Sequence, residues 1–201
     1  MKEIDLPHQA DDYKRVERAI NYIEQNFKQQ PTLGQIAYGF SQCLFGEAMI
    51  ATTQRGICCI SFLEKEHRSQ MINQLYSTWP RAEFTENQDH IHAIAHQIFG
   101  MRNADTSRPL RLHVKGTNFQ VNVWQALLAI PSGRLVSYHD IATSLGKPRA
   151  ARAVAPAVTG NPVAYMIPCH RVIAKTGKFH KYRWGATRKK AMIAWEAAAN
   201  M

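Results

Sequence analysis

Apolar residues return every three or four positions through "DDYKRVERAINYIEQNF", at Val16, Ala19, Ile20, Ile23 and Phe27, and this spacing predicts an amphipathic helix. "PTLGQIAYGFS" follows with Leu33, Ile36 and Ala37 on one face and predicts a second, shorter helix. The pattern then changes. "EAMIATTQRGICCISFLE" is rich in apolar and β-branched residues and is interrupted by "QRG", which predicts a β-hairpin with strands near 47–52 and 57–62. "KEHRSQMINQLYSTWP" returns to a helical pattern that stops at Pro80. "DHIHAIAHQIFGM" is another helix, with Ile91, Ile94, Ala95 and Ile98 on its stripe and Gly100 at its end. "RNADTSRPLRLHVKGT" is polar, then briefly alternating, and predicts an edge strand before a boundary.

From Thr117 the pattern is helix, turn, helix, turn, helix. "NFQVNVWQALLAI" aligns Phe119, Val123, Leu127 and Ile130, and "PSG" stops it. "SYHDIATSL" opens with Ser137 and carries Asp140 three residues on, a capping-box arrangement with the shorter acid, and Gly146 ends it. "KPRAARAVAPAVTG" is an alanine-rich third helix opening with Arg149 and Arg152. Pro156 lies inside it, which predicts a kink or an early end. A short helix, a tight glycine turn and a basic third helix fit a helix-turn-helix that approaches DNA. Three core helices with alanines for close packing fit the same pattern. The expected class is α+β, divided into a helical segment over 1–42, a small α/β domain over 43–114 and a mainly helical domain over 115–201.

Composition narrows the function. Twenty-five Lys+Arg against fifteen Asp+Glu give the 201 residues a net charge of +10, which favours polyanionic partners. From Lys115 onward the acids are Asp140 and Glu196 alone, so the basic surface belongs mainly to the second half. No apolar run is long enough to span a bilayer, and the N-terminus lacks an export-signal pattern, so a cytoplasmic protein without a membrane partner is expected. Cys43, Cys58, Cys59 and Cys169 have neither zinc-site spacing nor the density of a disulfide scaffold. His92 and His96 could share a metal at helical spacing, but a solvated face explains them, and no metal site is expected.

One cysteine stands apart. In "NPVAYMIPCHRVIAKTG" Cys169 sits between Pro168 and His170 behind an apolar run, and either packing or nucleophilic chemistry explains the setting. "NPVAYMIPCHRVI", with Gly177 and "YRWG" at 182–185, resembles the reactive segment of the O6-alkylguanine-DNA alkyltransferases. The likeness runs through about 117–196, and "GEAMIATTQRGICCISF" resembles the family's first hairpin. The resemblance implies a ribonuclease-H-like first domain and a winged helix-turn-helix-like second one. It also implies direct DNA repair, in which the O6-alkyl group of guanine, with O4 of thymine as a second substrate, passes irreversibly to Cys169.

By the same resemblance, His170 and Glu196 complete a relay with Cys169, and no cofactor is required. Tyr138 turns the phosphate and donates towards guanine N3, and Arg152 fills the gap left by a flipped base, with Arg149 beside it on the DNA. Asn161 braces the turn before the reactive segment, while Val158, Val172, Tyr182 and Arg183 line the base pocket. The partner implied is double-stranded DNA carrying O6-alkylguanine, bound through the minor groove by a monomer. The chain departs from the family's pattern at Pro156, at Ala164 in place of a proline, and at His180–Lys181 in place of small residues. "ERAINYIEQNFKQQPTLGQIAYGFS" resembles the opening of an AraC-type regulator domain and breaks off before a recognition helix. A lesion-binding sensor or a regulator is therefore the competing class. A cysteine hydrolase, the third class, needs an oxyanion site and a different Cys/His arrangement.

Overall fold

The computed structural model describes residues 34–63, 67–100, 110–177, 179 and 182–199. The helix expected over Val16–Phe27 and the residues His180 and Lys181 lie outside them.

The chain enters as a strand. β1 (Gln35–Cys43) pairs antiparallel with β2 (Gly46–Thr53), and β2 pairs antiparallel with β3 (Gly56–Phe62). The hairpin matches expectation, and its "QRG" turn closes at Gly56 with φ +143, a conformation that a side chain would strain. The helix expected over "PTLGQIAYGFS" is corrected: from Gln35 onward these residues are β1, so the sheet begins inside the segment expected to be helical. Ile36 and Ala37 satisfy a helical stripe, but Ile36, Tyr38 and Phe40 also alternate with period two, and pairing on both sides of the strand decided between the readings.

An unanticipated short strand, β4 (Glu83–Glu86), lies parallel to β1, giving the order β3-β2-β1-β4. Helix α1 (Arg68–Thr78) covers one face, where Met71, Leu75 and Trp79 meet Ile36, Tyr38 and Phe40. Helix α2 (Gln88–Phe99) covers the other, with Ile91 and Ala95 buried. The edge strand expected at the end of "RNADTSRPLRLHVKGT" reduces, among the described residues, to a parallel bridge between Leu112 and Ile57. His92 contacts Gln88 and His90 contacts Thr52, and no metal-ligand cluster occurs among the described residues.

The second half is helical as expected: α3 (Asn118–Leu128), α4 (Tyr138–Ser144), α5 (Ala151–Thr159) and α6 (Ala186–Ala199). Capping boxes start α3 at Thr117/Gln120 and α4 at Ser137/Asp140. Trp124 on α3 is buried and donates to the Ala157 carbonyl of α5 at 2.9 Å, which locks those helices together. Pro156 does not end α5, which continues to Thr159. The carbonyl that loses its donor belongs to exposed Arg152, where water can satisfy it.

One core joins the halves: Ile60 and Phe62 of β3, Ile91 of α2, Leu127 of α3, Val154 of α5 and Met192 of α6 belong to a single buried cluster. Polar staples reinforce it. Trp184 donates to Ser61 at 2.9 Å, and Arg188 of α6 donates to the carbonyls of Phe45 (2.6 Å), Leu63 (2.7 Å) and Trp184. Arg188→Met keeps the stem and loses these charge-assisted bonds, so urea denaturation should show a loss of about 2–4 kcal/mol.

Candidate active site

The edge of β3 positions the reactive segment. Ile60 donates to the Pro162 carbonyl at 3.0 Å and accepts from Ala164 at 2.9 Å, so residues 162–164 run along the strand before the chain reaches Cys169. Asn161, fully buried after the end of α5, shapes the turn. Its Oδ1 accepts from the Val163 amide (2.9 Å), while its Nδ2 reaches the Ile167 carbonyl (2.8 Å) and the Cys169 sulfur (3.2 Å). Cys169 then opens a one-turn 3-10 helix, Cys169–Arg171. The two-residue strands β5 (Val136–Ser137) and β6 (Val172–Ile173) pair in parallel, which sets Tyr138, first residue of α4, beside this turn.

Cys169, Tyr138, Val158, Tyr182 and Arg183 line one cleft, together with Lys189. The Cys169 thiol lies 3.8 Å from the Tyr182 hydroxyl, and that hydroxyl lies 3.7 Å from the Met192 sulfur. Asn161 and Val172 do not line the cleft; they stand behind it as supports. The Val172 carbonyl accepts from the Lys189 ammonium. Arg149 and Arg152 are exposed on and just before α5. Arg183 is exposed and donates to Gln74 of α1 at 3.0 Å.

Behind the thiol lies a buried charge cluster. His170 is fully buried and its Nε2 stands 2.7 Å from Glu196 Oε1 on α6. A carboxylate only accepts, so Nε2 carries the hydrogen and Nδ1 of the neutral ring presents a lone pair. Nδ1 is buried without a hydrogen-bond partner among the described residues. Arg171 grips both Glu196 oxygens, at 2.8–3.1 Å, and also donates to the Ile130 carbonyl. The Gly133 amide adds 3.2 Å to Oε2 from a turn whose φ of +73 suits glycine. Arg171, Gly133 and Lys189 escaped the sequence reading.

The electrostatics follow from burial and neighbours. Burial raises the Cys169 thiol, and the Asn161 and Tyr182 contacts and the Lys189 charge only partly oppose it. Burial also lowers His170, against the pull of Glu196, and keeps the imidazole neutral at rest. Burial pushes Glu196 up, but His170 and Arg171 overcome it and hold the carboxyl at about 2. Tyr138 is raised by burial and by Cys169, so it stays a proton donor. The arrangement is a protonated thiol on the residue that precedes a neutral base, and a carboxylate orients that base.

Fold and site together define an α+β protein whose three-helix element stands beside a buried cysteine–histidine–glutamate cluster. Residues 118–198 match the family model described as 6-O-methylguanine DNA methyltransferase, DNA binding domain. The chain is 34% identical over 196 residues to the bifunctional transcriptional activator/DNA repair enzyme Ada of Escherichia coli, which covers 96% of the chain and 54% of Ada. It is 34% identical over 160 residues to the methylated-DNA–protein-cysteine methyltransferase of Methanosarcina barkeri, covering 79% of the chain and 96% of that protein. The crystal structure of Mycobacterium tuberculosis O6-methylguanine methyltransferase superposes with a TM-score of 0.66 at 30% identity, over 81% of the chain and 93% of the relative. The chain belongs to the methylated-DNA–protein-cysteine methyltransferase family. It spans about half the length of the two Ada proteins it matches.

Proposed function

We propose that the chain repairs DNA by moving a methyl or other small alkyl group from guanine O6 to its own Cys169. The observation that carries this reading is the buried His170–Glu196 pair, whose bare Nδ1 belongs to the residue next to the cleft thiol. His170 takes the thiol proton, and Glu196 stabilises the imidazolium. The thiolate forms the S–C bond as the C–O6 bond breaks, and the electron pair leaves on the guanine. Tyr138 donates a proton towards N3 of that base and is reprotonated as the imidazolium returns its own through solvent, so the thiol proton ends on guanine. Lys189, close to the thiol and the Tyr182 ring, favours the anion. The thioether is stable, so each chain reacts once. O4 of thymine, which presents the same alkyl–oxygen bond, is a second substrate.

O6 is unreachable in a stacked duplex, so the guanine is flipped into the cleft, against Val158 and Tyr182 and towards the Arg183 backbone amide. Val172 acts by supporting the cleft through its carbonyl, and Asn161 by bracing the segment. Arg152 fills the gap, and Arg149 and the other cations of the second half meet phosphates. A relative from Mycobacterium tuberculosis has been crystallised in complex with DNA, which supports DNA as the partner. The sheet unit is read as ribonuclease-H-like and the second as a winged helix-turn-helix in the minor groove, with 43–114 and 115–201 as their extents and β1 added to the first. The protein acts as a cytoplasmic monomer, and the segment over 1–42, whose last residues form β1, is read as similar to part of an AraC-type regulator domain.

The test is single turnover on duplex DNA carrying one O6-methylguanine, followed by intact mass and peptide mapping. One methyl group on the Cys169 peptide is expected. Lesion binding without a mass gain would instead identify a damage sensor. Arg152→Ala should weaken duplex binding for every sequence and lower the salt slope by about one.

A further inference from the structure

The reactive segment contains an unusual backbone: Tyr165, at φ +68, is the one non-glycine residue with positive φ among the described residues. An aromatic residue adopts that conformation only against a steric cost, so its ring must be held in place by its surroundings. One neighbour is the imidazole of His170, 5.9 Å away between centroids and tilted by 13°, an offset stack. Two others come from the sheet unit: Phe45, in the β1–β2 turn, at 5.3 Å, and Phe99, ending α2, at 5.2 Å.

The stack supplies what the hydrogen bonding lacks. The Nε2 contact to Glu196 fixes one atom of the imidazole and leaves rotation about that contact to be limited by packing. Nδ1, the atom that must meet the thiol proton, has no partner to stop the rotation. A parallel ring packed on the imidazole face stops it. We propose that Tyr165 is a positioning residue for His170, and that the sheet unit acts on the reaction through the chain Phe45/Phe99–Tyr165–His170. The inference rests on His170 being the base.

The charged and titratable groups facing His170 are Glu196 and Lys189 from α6 and Arg171 from its own turn, with Cys169 adjacent. The Tyr165 phenol is a further titratable group against the ring, and Tyr165→Phe removes its hydroxyl while keeping the stack. An aromatic face favours the imidazolium over the neutral ring, so removing it should move the acid limb of the rate profile to lower pH.

The experiment compares Tyr165→Phe and Tyr165→Leu in single-turnover transfer at saturating DNA across pH, with ring-proton NMR of His170 in the DNA-free protein. Tyr165→Phe keeps the stack and should react within about twofold of wild type. Tyr165→Leu keeps an apolar side chain and loses the aromatic plane. Its rate should fall about fivefold to tenfold, with duplex affinity unchanged and the upfield ring-current shift of the His170 protons lost. Phe45→Leu, outside the reactive segment, should give a smaller loss in the same direction and covers the case in which Tyr165→Leu does not fold. Unchanged rate and pH profile in Tyr165→Leu, or an equal loss in Tyr165→Phe, would overturn the proposal. Failure of the wild-type protein to transfer at all would defeat the functional reading itself.

Discussion

Cys169→Ala should take up no alkyl group from O6-methylguanine DNA, while binding the same duplex within about twofold of wild type. Cys169 is 3% exposed and contributes a small side chain to the joint core, so its loss removes little packing. The DNA-facing cations stand on other elements: Arg149 and Arg152 are exposed on and before α5. Nucleophile and binding surface are therefore separable, and the two readouts should part completely. Cys169→Ser should fail as well, because an alcohol is a much weaker acid than a thiol and the neutral His170 cannot hold its proton. Residual transfer in either variant would move the nucleophile to another residue. Cys43, Cys58 and Cys59 are poor substitutes, since none of them lines the cleft.

Much of this arrangement was legible before the structure because local signals carried it. The hairpin announces itself through a glycine turn between β-branched runs, and α4 through Ser137 and Asp140, whose mutual bonds form as expected. Glu196 was named through the family resemblance, and the scarcity of acids in the second half supported a specific role for it.

What stayed hidden depends on distant partners. Strand β1 was misread because a helical stripe through Leu33, Ile36 and Ala37 overlaps a period-two stripe through Ile36, Tyr38 and Phe40, and only pairing with β2 and β4 separates them. Lys189 lies in an "RKK" run that has the pattern of a solvated face, yet it is 1% exposed and bonded to the Val172 carbonyl. Arg171 and Arg188 likewise resemble surface cations and instead bind carboxylate or carbonyls brought from far along the chain. Asn161 bonds within the turn it was expected to brace, whereas the bond between the Val172 carbonyl and Lys189 joins residues that the sequence does not bring together.

Glu196→Gln should combine a loss of stability with a loss of rate. In the folded protein the carboxyl is held at about 2, against an ordinary value of 4.5. A depressed acid stabilises the fold fully above 4.5, and that contribution fades as pH falls from 4.5 towards 2. The shift corresponds to roughly 3 kcal/mol at neutral pH, in the range seen when one partner of a buried ion pair is removed. Glutamine keeps the shape but leaves the Arg171 guanidinium and the His170 ring facing a neutral amide. Urea denaturation should place the variant well below wild type at pH 7, with the difference shrinking on acidification below 4.5 as wild type loses the same charge. The kinetic effect has a definite sign. Glu196 raises the basicity of His170 against burial, so its loss lowers the imidazole further and weakens the base. Transfer should slow by about 100-fold on the neutral plateau, and its acid limb should move to lower pH. A variant that lost stability but kept both plateau and limb would leave Glu196 as an anchor for Arg171 alone and would move proton transfer away from His170.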